Sequence, residues 1–168
     1  MKKTFLVLIC FCFIFTGCKG YNKGPDVTVV TSGLSFVAKL SYMKNIYDYS
    51  VIIDKNGKTT INYISKSDEP GTDYIFEDDT VIYSYNGLEY KTDISAIPDN
   101  SIADFIYTVF KECKNIQNKV YFKNQEYYIK GETDKYKFKM VVGQTGLPIK
   151  ITDSKMGISA IIKNPSIL

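Results

Sequence analysis

From Lys135 to Val142 the chain alternates: Lys135, Lys137 and Lys139 fall on one side, and Tyr136, Phe138, Met140 and Val142 on the other. A run with period two can bury one side and wet the other only as a strand, since a helix would scatter the same residues around its axis. The pattern recurs along most of the chain. Residues 34 to 42 set Leu34, Phe36, Ala38, Leu40 and Tyr42 against Ser35, Lys39 and Ser41. Residues 46 to 54 set Tyr47, Tyr49, Val51 and Ile53 against Asp48, Ser50 and Asp54. Ile61 and Tyr63 continue it after Asn56-Gly57, a pair that supplies the positive backbone angles of a tight hairpin. Tyr74 and Phe76 lead through Glu77-Asp78-Asp79 to Val81, Tyr83 and Tyr85, and Asn86-Gly87 leads to Leu88 and Tyr90.

One segment breaks the period. Ile102, Phe105, Ile106, Val109, Phe110 and Cys113 are spaced three, one, three, one and three apart, which draws one apolar stripe on a helix. Pro98 stops what precedes it, and Ser101 with Asp104 forms a capping box. Further strands are expected at 118–123, 126–132, 135–143, 147–153 and 157–163, joined by short polar turns. Pro148 has no N–H for a ladder and belongs at an edge or bulge. About ten to eleven sequential strands exceed what stays flat, so the antiparallel sheet is expected to curl, with the helix in its concave face.

The start of the chain gives an address. Met1-Lys2-Lys3-Thr4 precedes an apolar run from Phe5 to Phe15, then Thr16-Gly17-Cys18. A basic start, a short apolar run and small residues are the parts of a secretory signal, and the run falls short of the about 20 residues that cross a bilayer. Phe15-Thr16-Gly17-Cys18 resembles the lipobox of bacterial lipoproteins, which implies cleavage before Cys18 and acylation of its thiol. Two acyl chains hold a protein stably where one does not. The expected organisation is therefore a signal peptide over 1–17, a lipidated tether over 18–31 carrying Gly20, Gly24 and Pro25, and one domain over 32–168 on the outer face of the cell membrane.

Composition removes several functions. The 21 basic side chains are all Lys, and the chain has no His, Arg or Trp. Loss of residues 1–17 leaves 19 Lys against 18 acids, a balance that offers nucleic acid nothing. No His exists for a triad or a zinc site. Cys10 and Cys12 leave with the signal and Cys18 takes lipid, so Cys113 has no partner; closing an apolar stripe, it reads as core. Asp68, Glu69, Asp73, Glu77, Asp78 and Asp79 match no calcium-loop spacing, and no carboxylate pair is singled out for glycoside chemistry. The chain is read as non-enzymatic, with neither metal nor cofactor.

The opening Leu34-Ser35-Phe36-Val37-Ala38, the central Gly71-Thr72-Asp73-Tyr74-Ile75-Phe76 with Asp79-Thr80-Val81-Ile82-Tyr83, the Pro98-to-Cys113 helix and Gly146-Leu147-Pro148 occur in that order. In this the chain resembles the lipoprotein-carrier superfamily typified by LolA and LolB, over roughly residues 34 to 164. Its length, lipobox and Lys, Ile and Tyr content resemble the Gram-positive branch that includes the sporulation and germination lipoprotein GerS. The resemblance implies an unclosed β-barrel with a helix in its mouth. It also implies a binding role toward a cell-envelope or spore-cortex protein partner, or toward a lipid. The carrier branch latches its lid with an Arg, which this chain lacks, and a permanent anchor at Cys18 fits a stationary protein. For the lipid reading, strand and helix parity give a cavity wall of Phe36, Ala38, Leu40, Tyr63, Phe76, Tyr83, Phe105, Val109 and Phe138.

Overall fold

The computed structural model describes residues 24–27, 30, 32–64, 71–98, 101–115 and 120–168. The signal segment, Cys18, most of the expected tether, Asp68 and Glu69 lie outside the described residues. Eleven strands follow in order: β1 (Leu34–Tyr42), β2 (Asn45–Ile53), β3 (Thr59–Tyr63), β4 (Thr72–Glu77), β5 (Thr80–Tyr85) and β6 (Leu88–Asp93), then β7 (Val120–Lys123), β8 (Glu126–Glu132), β9 (Lys137–Val142), β10 (Pro148–Asp153) and β11 (Ser159–Ile167). Between β6 and β7 lie one 3₁₀ turn at Ile94–Ala96 and the helix α1 (Ile102–Asn115). All eleven strands form one antiparallel sheet in the order β6-β5-β4-β3-β2-β1-β11-β10-β9-β8-β7, an unclosed barrel with the helix inside its curve.

That order explains where the helix sits. β6 and β7 are the two free edges of the sheet, yet they are consecutive in sequence. The connection between them has to travel from one rim to the other, and fourteen helical residues cover about 21 Å of that distance. An amphipathic helix on this path turns its apolar stripe toward the sheet. Ala103, Phe105, Ile106, Val109, Phe110 and Cys113 are all buried there. Phe36 stacks on Phe110 at 5.2 Å between centroids, Phe76 on Tyr107 at 4.5 Å, and Phe105 meets Tyr136 edge-on at 5.2 Å. Each such side chain contributes about 1.5 to 3 kcal/mol by leaving water.

Most turns follow the expected chemistry, with three exceptions. Asn86 and Gly87 both take positive φ, as a two-residue hairpin requires. At Asn56-Gly57 only Gly57 does, because Asp54 organises a wider loop whose Oδ1 accepts the N–H groups of Asn56, Gly57 and Lys58. Met43-Lys44 and Asn124-Gln125 form tight hairpins with positive φ at both residues although none is glycine. Pro148 lies at a register shift between β10 and β9, the bulge its missing N–H demands. The capping contact forms in one direction, with the Asp104 N–H donating to Ser101 Oγ at 3.4 Å. Val27 and Val30, from the segment read as tether, pack against the core.

Candidate functional site: a tyrosine cleft at the helix N-terminus

The helix covers the middle of the concave face and leaves part of one wing open. Around its first turn, β1, β2, β4, β5 and β6 contribute Tyr42, Tyr47, Tyr49, Tyr74, Tyr83 and Thr92 to a cleft of about 560 Å³. The other wall is Ala96, Ile97 and Pro98 with Ser101, Ile102 and Ala103. The wall is continuous by register: Tyr49 pairs with Tyr63 across β2 and β3, Tyr74 with Tyr83 across β4 and β5, and Tyr83 with Tyr90 across β5 and β6. The Tyr83 and Tyr90 rings stack at 5.5 Å. Tyr85 and Leu88 share that face and are exposed, so the aromatic surface runs from the cleft out to the free edge of the sheet.

Burial governs the chemistry of the cleft. Tyr49 is pushed well above the usual phenol range, first by desolvation and then by the neighbouring Tyr74, Tyr63, Tyr47 and Asp73. Tyr74 is raised by desolvation too, against the opposing hydroxyls of Thr72 and Ser101. Both therefore stay neutral and keep a hydroxyl proton to donate, in a wall that is otherwise aromatic. Such a surface accepts an apolar or aromatic group with a hydrogen-bonding edge and disfavours a bare charge. Gly71 is part of its support: a Cβ at this position would run into the Tyr63 ring, and Asp73 Oδ1 accepts the Tyr63 N–H at 2.7 Å.

The expected cavity residues divide into two groups. Phe36, Ala38, Leu40, Phe76, Phe105, Val109 and Phe138 are fully enclosed between sheet and helix, where they pack against one another. Tyr83 lines the open cleft, and Tyr63 sits half-buried against Tyr49 with rings 5.5 Å apart. Tyr42, Tyr47, Tyr49 and Tyr74 line the cleft without having been singled out. Their shared parity with Tyr63 and Tyr83 is visible in the sequence; the part of the sheet over which the helix begins is not.

Cys113 lies at the far end of the helix, buried, its thiol pushed up to about 12 by desolvation and by Glu112. It is a packing residue there, since the thiolate is the reactive form. A second depression of about 580 Å³ at that end mixes Asp54, Glu77, Asp78 and Asp79 with Lys58, Lys111 and Lys114. Among the described residues no group of three or more acids or cysteines is placed to hold a metal ion.

No family model and no curated protein matches the chain in sequence. Among solved structures it is similar to a LolA superfamily protein from Nitrosomonas europaea, at 11% identity and a TM-score of 0.39 over 80% of this chain and 83% of that one.

Proposed function

We propose that this chain is a lipid-anchored extracytoplasmic binding module without enzymatic activity, whose aromatic wing receives a protein partner of the cell envelope or spore cortex. The observation that carries this reading is the continuity of the tyrosine cleft with an unpaired strand. Leu88 and Tyr90 of β6 are 60% and 52% exposed, on the edge of the sheet and on the face that the cleft opens from. A partner strand added to β6 would gain main-chain hydrogen bonds from the edge and place a side chain against Tyr83 and Tyr90. The enclosed interior supports the same reading, since the space between sheet and helix is filled by the protein's own side chains.

A photo-crosslinking residue at position 90 of the full chain in its own membranes should attach to one envelope protein, while the same residue at position 150 should not. Absence of any product specific to position 90 would overturn the proposal. Backbone amides of β6 should also become protected from exchange when that partner is added.

The cleft itself favours a second reading, in which it holds a lipid or another hydrophobic ligand. A volume of about 560 Å³ lies within the range of small-molecule sites and is faced by hydroxyls that stay protonated. Native mass spectrometry of the gently purified protein separates the two. A reproducible added mass lost in a Tyr49→Ala and Tyr83→Ala double variant supports the ligand, and a bare protein mass in every preparation rejects it.

A further inference from the structure

The opposite rim carries a different surface. Gly24 lies against Tyr127 of β8, a Cβ on it being 3.8 Å from the ring. Tyr127 in turn meets Phe122 of β7, with centroids 4.8 Å apart. Phe122 is 63% exposed and Tyr121 45%, and the hairpin that presents them turns at Asn124-Gln125 with Lys123 beside it. At the same end of the strands Ile149, Ile167 and Leu168 are exposed. Lys123, Lys150 and Lys163 stand on these strands near that end, facing water, with two acids close by, Glu126 on β8 and the exposed Asp26 two residues past Gly24.

Cys18 precedes Gly24 by six residues, and six residues span at most about 20 Å however they are arranged. An acylated Cys18 therefore keeps the Tyr127–Phe122 rim within about 20 Å of the lipid surface. We infer that the β7–β8 hairpin and the neighbouring ends of β10 and β11 dock onto a bilayer bearing anionic headgroups, fixing the orientation of the domain. The inference rests on the lipidation of Cys18. Aromatic rings favour the headgroup level of a bilayer, and each basic side chain near an anionic surface adds to the attraction. Docked in this way, the tyrosine cleft faces away from the membrane, because Tyr42 and the helix N-terminus lie at the other ends of the strands.

The chain has no native Trp, so one introduced indole reports on one place. Full-length lipidated Phe122→Trp and Tyr90→Trp proteins are reconstituted into phosphatidylcholine vesicles with and without phosphatidylglycerol, each containing brominated acyl chains. The expected result is flotation of both proteins, with strong quenching and a blue shift at position 122, greater with phosphatidylglycerol, and neither at position 90. Lys123→Gln should lower the docked fraction relative to the undocked about five-fold, the effect of one basic side chain. Floating vesicles with an unquenched Trp at 122 overturn the docking while leaving the anchor intact. Failure to float overturns the anchor, and the docking with it. Shielding of position 122 in native membranes but not in protein-free vesicles assigns the rim to a protein and overturns the lipid assignment.

Discussion

The two wings of the sheet are built on one strand pattern and differ in what covers them. β9 alternates between buried and wet in full, with Phe138, Met140 and Val142 enclosed. β6 has the same alternation in sequence, yet Leu88 and Tyr90 remain exposed. The attachments of the helix differ as well. Toward β9 it is held by a buried acid: Asp104 accepts from Tyr136 Oη at 2.9 Å and from Lys135 Nζ at 3.3 Å. Toward β4 and β5 it is held by the Phe76–Tyr107 stack and by the Tyr107 hydroxyl, which donates to the Asp78 carbonyl at 3.1 Å. Charge divides the same way, six Lys against ten acids over residues 34–98 and eleven against seven over 99–168. Alternation therefore specifies a strand and its two faces, while the path of one helix decides which apolar face becomes core and which becomes a binding surface.

The sharpest test sets a covered residue against an uncovered one. Phe105→Ala removes a ring that is 0% exposed, and should lower unfolding free energy by about 3 to 5 kcal/mol in denaturant melts. Tyr90→Ala should cost less than about 1 kcal/mol by the same measurement, as exposed substitutions do. Equal losses would mean that the two wings are equally packed, and the contrast would fail.

Next in size is the polar attachment. Asp104→Ala withdraws the carboxylate that Tyr136 and Lys135 donate to, and should cost about 3 kcal/mol. Tyr107→Phe keeps the stack and removes one hydrogen bond, for about 1 kcal/mol. A reversal of that order would place the firmer grip on the open wing.

Alkaline titration gives a smaller and gradual effect. Cys113 is raised from 9.0 to about 12, and Tyr49 and Tyr74 are raised from 10.0, so the unfolded chain loses these protons first. Stability is present in full below about pH 9 and falls as pH rises past it. Thermal melts of Cys113→Ala should move the onset up toward pH 10, leaving the tyrosine part.

Smallest is the surface pair Lys58–Glu77 at 3.3 Å, both side chains about half exposed. Lys58→Ala should change stability by less than about 0.5 kcal/mol, and by less still in high salt.

Much of this architecture was legible because period two is a local signal. β1 is bounded where its alternation begins and ends, and the helix stripe from Ile102 to Cys113 lies within α1. The sequential order of neighbouring strands was legible, but the junction of β1 with β11 was not, since pairing of Leu34 with Ile167 is set by packing across the whole domain. Neither was the positive φ in the Met43-Lys44 and Asn124-Gln125 turns, which the flanking ladders impose on Met43, Lys44 and Gln125 although these residues do not favour it. The site was half legible. Parity placed the tyrosines on the concave face, but only the helix path separates the enclosed Phe76 from the accessible Tyr83.

The central seam joins the first strand to the last: β1 is flanked by β11, and the Leu168 N–H donates to the Gly33 carbonyl at 3.2 Å. A growing chain can therefore assemble β1 to β6 and β7 to β10 as separate hairpin stacks, but the two remain unjoined until β11 is made. Removal of the nine residues of β11 should accordingly leave two loose ribbons strung on a helix, prone to pairing with the exposed seams of other copies.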